Sequence, residues 1–238
     1  MKWLVDWFVD FVYPKDCVGC GCLGTWLCDK CKRSFEEVVQ ICPMCGKENL
    51  GGSVHKMCSE RLGMDGLTAV YNHGERVMSN LIFRVKFEYC EELLEEFVGC
   101  LDFNVGSRFD VVVPVPLHIY RRNWRGFNQA EVIADEVGEQ LGLPVVERLR
   151  RVRKGKQQSK IKTREERLEN VKGVFEIGMD SRLRGNDVGE SGNDGLKDKA
   201  VLLVDDVFTS GATMREACKV LKQAGAKFVW GLTLARRM

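Results

Sequence analysis

The stretch that most constrains this 238-residue chain is Val201 to Thr213, VLLVDDVFTSGAT. Four apolar residues, Val201, Leu202, Leu203 and Val204, run straight into two carboxylates, Asp205 and Asp206. Such a run predicts a strand buried on both faces, as in a parallel sheet. Thr209, Ser210, Gly211, Ala212 and Thr213 then make a turn of small residues before a helical pattern begins near Met214. Ligands of open α/β sheets bind at the carboxyl ends of the strands. There the turn offers backbone N–H groups, hydroxyls and a helix N-terminus, which suit a phosphate. The adjacent acids suit sugar hydroxyls or a hydrated Mg²⁺. The combination points to a sugar phosphate. The plainer alternative is a strand, a turn and a Thr N-cap with no ligand.

The chain is long enough for one large domain and a small one. A hydrophobic content of 45% and a charged content of 29% are ordinary for a globular protein, and a net charge of +2 selects no partner. The distribution says more. Residues 147 to 172 hold eleven Lys and Arg against four acids. Eight of the eleven cysteines lie before residue 60, and six of them form CxxC pairs: Cys17/Cys20, Cys28/Cys31 and Cys42/Cys45. With no secretory leader pattern ahead of them, they predict metal thiolates in a reducing cytosol rather than disulfides. No run approaches transmembrane length.

Zn²⁺ takes four N or S ligands in a tetrahedron, and each CxxC supplies two. A fourth pair follows as His55 and Cys58, with the same gap of two residues. The simplest partition puts Cys17, Cys20, Cys28 and Cys31 in one site and Cys42, Cys45, His55 and Cys58 in another. Interleaved pairing stays open, Cys22 could replace Cys20, and His55 could be a solvated loop residue. The expectation is one or two structural zinc ions. Cys90, Cys100 and Cys218 sit in helical patterns and read as core residues.

The organisation expected is an apolar N-terminal helix over 1–15, a cysteine-rich double ribbon over 16–64 and an α/β domain over 65–238. Trp3, Leu4, Trp7 and Phe8 share one face of the first helix, with Asp6 and Asp10 opposite; acids there favour packing on the protein over a membrane surface. In the larger domain, residues 67–71 and 109–117 read as strands, 75–87 and 90–103 as helices. Alternating strands and helices imply a parallel sheet. Beyond the second strand, Arg121, Arg122 and Arg125 precede a helix that runs to about Leu141. Arginine forks suit phosphate oxygens. Residues 178–199 are polar and glycine-rich, with Gly-Asn-Asp at 185–187 and 192–194, and read as a disordered insertion.

Val201–Thr213 resembles the phosphoribosyl pyrophosphate (PRPP) signature of the type I phosphoribosyltransferases. Together with the cysteine-rich ribbon, VPVPL at 113–117 and RGFNQA at 125–130, it resembles the ComF family of competence-associated phosphoribosyltransferase-like proteins. Phe208 departs from the smaller aliphatic residue usual there. The resemblance implies a parallel sheet flanked by helices with a small N-terminal zinc ribbon. It further implies PRPP held by Asp205, Asp206, Thr209, Ser210, Gly211, Ala212 and Thr213, with Asp205 and Asp206 as the catalytic carboxylates. Mg²⁺ would accompany PRPP. Pyrophosphate would fall to Arg121, Arg125 and Asn128, and a lid to Lys156, Gln158 and Lys160.

Two functions follow as expectations. One is a phosphoribosyltransferase with an unidentified acceptor, since no nucleobase-specific element stands out. The other is a PRPP-sensing module that binds single-stranded DNA or other DNA-uptake proteins through the ribbons and the basic segment. The family's link with natural transformation implies a cytoplasmic protein, peripheral at the inner membrane face or free of it. Trp124 and Phe127 are the nearest base-stacking candidates.

Overall fold

The apolar run at 201–204 forms a strand in which all four residues are sealed from solvent. Burial of each such side chain is worth about 1.5–3 kcal/mol, so this strand anchors the fold. The structure, a computed structural model, describes residues 14–35, 38–59, 64–88, 90–101, 103, 109–153, 164–178 and 195–237. Most of the N-terminal helix, the lid residues Lys156, Gln158 and Lys160, and residues 179–194 of the expected insertion lie outside the described residues.

In chain order the elements are β1 (Gly66–Asn72), α1 (Arg76–Phe83), α2 (Glu91–Val98), β2 (Val111–Pro114), α3 (Ile119–Arg125), α4 (Gln129–Leu141), β3 (Leu149–Arg151), α5 (Arg164–Val171), β4 (Phe175–Ile177), β5 (Ala200–Phe208), α6 (Ala212–Gln223) and β6 (Phe228–Arg236). One-turn helices at Asp29–Lys32 and Lys56–Ser59 belong to the cysteine-rich segments. The main sheet is parallel throughout, in the order β1-β6-β5-β2. Pro144–Val146 adds a short parallel bridge outside β2, through Val112 and Val145. β3 and β4 form a separate antiparallel pair flanking the basic segment.

Alternation along β5 builds two cores. Leu202 and Val204 face α1, α2 and α4, and the first cysteine ribbon joins this side through Val18 and Leu27. Val201 and Leu203 face α6, with Val174 and Phe175 beside it. β2 ends at Pro114 because Pro116 has no N–H for a ladder; Val115 makes a last bond to the Val204 carbonyl at 2.9 Å.

Three local expectations need correction. The chain is already packed before Ala200: Leu196 is 1% exposed in the second core, so ordered structure reaches into the expected insertion. The arginine segment, expected only to precede a helix, is itself the helix α3. Cys218 is buried and Cys90 half-buried, but Cys100 is exposed and accepts from Lys32 Nζ at 3.1 Å. Among the described residues no helix is long and apolar enough to cross a membrane.

Candidate functional site

β2 leads through α4 to the bridge on its outer side, whereas β5 leads through α6 to β6 on the opposite side. The strand order therefore reverses between β2 and β5, and a crevice opens at their carboxyl ends. Asp205, Asp206, Thr209, Gly211, Ala212 and Thr213 line it from the β5–α6 turn. Pro116, Leu117, Arg121 and Arg125 line it from the β2–α3 side. Ser210 is not among the lining residues, and its Oγ accepts from Ala212 N at 3.4 Å.

The turn is built for an anion. α6 begins at Gly211, whose φ of 73° puts it in the left-handed region, and no side chain of that residue caps the first turn. A Cβ at Gly211 would also meet Phe208 Cζ at 2.5 Å, so only glycine fits. N–H groups at a helix N-terminus attract phosphate. The N-terminus of α4 is instead closed off by Asn128. Asn128 accepts from Ala130 N at 3.3 Å and donates to the Val115 carbonyl at 3.2 Å and Glu131 Oε1 at 3.1 Å. At 2% exposure Asn128 stays out of the cleft and instead ties α4 to the end of β2. The spacing Asn128–Glu131 is a capping-box signature that could have announced this role.

α3 sorts its arginines by helical spacing. Arg121 and Arg125 share a face and reach the cleft, with Arg125 Nη1 donating to Gln129 Oε1 at 3.0 Å. Arg122 turns away to Glu131 at 3.2 Å. Tyr120 and Trp124 are 66% and 62% exposed on this helix, while Phe127 is buried in the first core and cannot stack on a ligand.

The two acids are not equivalent. Asp206 forms an ion pair with Lys86, and Asp205 Oδ1 accepts from Asp206 N at 2.9 Å. Burial, and then the neighbouring Asp206 charge, pushes the Asp205 carboxyl up to about 7. Burial also works against an Asp206 charge, but the Lys86 ammonium and then Arg125 outweigh it and hold that carboxyl below the usual range. Lys86 comes from a π-helical turn over Arg84–Glu88 that extends α1.

Lys86, His73, Arg151 and Arg237 also line the cleft; of these only Arg151, in the basic segment, draws attention from sequence. His73 and Arg237 directly follow β1 and β6, so the carboxyl-end rule could have found them. Burial, and then Lys86 and Arg237, depresses the His73 imidazole below its ordinary value. Arg151 packs its guanidinium 5.5 Å from the centre of the Phe175 ring, and its Nε is buried without a hydrogen-bond partner among the described residues.

The cysteines gather into two groups, Cys17, Cys20, Cys28 and Cys31, and Cys42, Cys45, His55 and Cys58, with ligand atoms within 4.8 Å of one another in each. A tetrahedral Zn²⁺ with Zn–S bonds of about 2.3 Å spaces its sulfurs about 3.8 Å apart, and S and N about 3.6 Å. Cys20 Sγ to Cys28 Sγ is 3.7 Å, and Cys45 Sγ to His55 Nδ1 is 3.4 Å. Both groups can therefore hold a metal such as zinc. Burial works against a charged Cys17 or Cys42, but backbone N–H groups, from Cys28, Cys20 and Gly19 to the first and from Cys45, His55 and Met44 to the second, bring each down to about 6. Cys22 stays outside the first group, its thiol pushed up to about 12 by Cys20 and by burial.

Comparison with known proteins agrees with this geometry. Residues 125–238 match the phosphoribosyl transferase domain. The chain is 30% identical to Competence protein F of Haemophilus influenzae, over 88% of this chain and 90% of that protein. The chain belongs to the ComF family. Among its ComF relatives, Competence protein ComFC of Bacillus subtilis is 27% identical over 88% of this chain and 84% of its own length. DNA utilization protein YhgH of Salmonella typhi is 27% identical over 91% and 93%.

Proposed function

We propose that the crevice between β2 and β5 binds PRPP with Mg²⁺ and supports transfer of its phosphoribosyl group. The observation that carries this reading is the convergence, in one cleft, of a glycine-led helix N-terminus, an acid pair and the arginines Arg121, Arg125 and Arg151. The turn at Thr209–Thr213 takes the 5-phosphate. Asp205 and Asp206 accept hydrogen bonds from the ribose hydroxyls and fix the sugar. The arginines face the pyrophosphate and stabilise the charge that grows on it as its bond to C1 breaks. Positioning and charge, rather than a covalent step, do the chemistry. The acid pair fits a hard cation, because Asp205 forms no ion pair among the described residues while sitting beside a second carboxylate. Mg²⁺ would supply neutralisation of the pyrophosphate oxygens.

The two cysteine groups would each hold one structural Zn²⁺, folding segments too short for cores of their own. Thiolate clusters favour a reducing compartment, in keeping with a cytoplasmic protein. The relatives named as competence and DNA utilization proteins support a role in handling incoming DNA. A second reading, binding of single-stranded DNA, is favoured by Tyr120 and Trp124 standing exposed among arginines on α3.

Calorimetry with PRPP and Mg²⁺, beside ribose 5-phosphate and pyrophosphate as separate ligands, tests the first reading. Both fragments bind more weakly than PRPP and each competes with it. Failure of both to compete contradicts the assignment.

A further inference from the structure

The second cysteine group touches the ligand-binding end of the sheet through two buried arginines. Arg236, at the end of β6, donates from Nη1 to the Val39 carbonyl at 3.1 Å. Arg215, in the first turns of α6, donates from Nη2 to the Pro43 carbonyl at 3.1 Å. They are 2% and 9% exposed. Pro43 lies between Cys42 and Cys45, in a loop closed by Gly46 N to the Cys42 carbonyl at 3.0 Å and Cys42 N to the Lys47 carbonyl at 2.9 Å. A metal held by Cys42 and Cys45 fixes where that carbonyl points.

The other side of Arg215 lies against the phosphate turn. A Cβ on Gly211 would come within 3.3 Å of the Arg215 Nε and 2.5 Å of Phe208 Cζ, so the guanidinium and the Phe208 ring both stand against the turn and leave it little room to move. A buried guanidinium that loses an acceptor must find another or shift, because leaving it unpaired is costly. The first cysteine group differs. Cys17 and Cys31 pack into the core facing α1 and α2, and among the described residues no hydrogen bond joins that group to the turn.

We infer that Arg215 is a positioning residue that ties the phosphate-binding turn to the second metal cluster, so that losing the metal at Cys42, Cys45, His55 and Cys58 weakens phosphate binding. Of the two arginines, Arg215 is the one that reaches the turn, and through it cluster and turn act as one unit. Chelation of that metal would reach the ligand site by this route.

The test compares the full chain as wild type, Cys45→Ser, Arg215→Met and the double variant, with zinc content measured by mass spectrometry. Amide hydrogen exchange over residues 209–216 is one readout, and affinity for PRPP with Mg²⁺ is the other. Only the second rests on the function proposed above. Cys45→Ser is expected to lose one metal equivalent, speed exchange over 209–216 and weaken PRPP on the order of tenfold. Arg215→Met does the same with its metal retained, and adding Cys45→Ser to it costs less than about twofold more. If Cys45→Ser does not fold, chelating metal from the folded wild type and restoring it replaces that variant. Unchanged exchange over 209–216 after metal loss overturns the inference, and so do two effects that simply add. A wild type that binds no PRPP overturns the functional reading, and the exchange result then decides this one.

Discussion

Lys86 pairs with Asp206 inside the cleft, while Asp205, one residue earlier on β5, has no ion pair among the described residues. The side chains of Lys86 and Asp206 are only 23% and 18% exposed, so the pair is shielded from bulk solvent. Lys86 and Arg125 favour the Asp206 charge, whereas burial and then that same charge keep Asp205 from ionising. A cation brought in with the ligand would relieve that repulsion.

Removing the ammonium should show the imbalance. Lys86→Met is expected to lower stability by about 1–3 kcal/mol near pH 8, the range between an exposed pair and a buried one. Adding Mg²⁺ should recover more stability in the variant than in the wild type. Urea unfolding with and without Mg²⁺ checks both; equal Mg²⁺ effects in the two proteins would count against a shared cation site.

The acids also set a pH dependence with a definite sign. Asp205 is raised from 3.8 to about 7, so between those values the folded chain keeps a proton that the unfolded chain has lost. Through this group, stability falls as pH rises across that window and levels off above it. Asp206, being depressed, contributes stability at higher pH that is lost as pH falls through its folded value. Asp205→Asn deletes the first dependence, so the variant should gain on the wild type as pH rises from about 4 to 7. Urea unfolding at stepped pH measures it. A wild-type minus variant difference that stays flat would contradict the assignment.

Gly211 carries the turn. Its φ of 73° and the 2.5 Å approach of Phe208 to any added Cβ leave no space for a side chain. Gly211→Ala should cost about 1–2 kcal/mol in backbone strain alone. Binding of ribose 5-phosphate should weaken more than tenfold (on the order of 1.4 kcal/mol or above). Calorimetry with that ligand reads the loss, and unchanged affinity would move the phosphate elsewhere.

On α3, DNA binding and PRPP binding should separate. Tyr120→Ala and Trp124→Ala are expected to weaken single-stranded DNA by about 1–3 kcal/mol per stacked base. PRPP affinity should hold, because the cleft-facing residues of that helix are Arg121 and Arg125. Fluorescence anisotropy with a labelled oligonucleotide checks this, and equal binding by all three proteins would remove α3 from any nucleic-acid surface.

The parts of the site that a local pattern encodes could be read from sequence. The β5 strand announced itself because four buried residues end at an acid pair, and the cysteine groups did so because CxxC places two ligands in one turn. Which pairs share a metal was open, since chain spacing alone does not say which loops meet. Lys86, His73, Arg151 and Arg237 reach the cleft from four separate elements, and only the tertiary fold joins them. Lys86 had no local signal at all. Asn128 shows the opposite error: its position in RGFNQA suggested a ligand contact, but its side chain closes the N-terminus of α4. The pair β3–β4 was missed because strands of three residues each show no periodicity.

Asp205 and Asp206 are proposed to form a PRPP site at the switch point of the sheet. Titrating PRPP with Mg²⁺ against the wild type and the Asp205→Asn, Asp206→Asn double variant tests it most directly. The expected result is saturable binding by the wild type that requires Mg²⁺ and falls at least about a hundredfold (roughly 2.7 kcal/mol) in the double variant, which stays folded. Equal affinity of the two proteins for PRPP, or binding by the wild type that is indifferent to Mg²⁺, would contradict it.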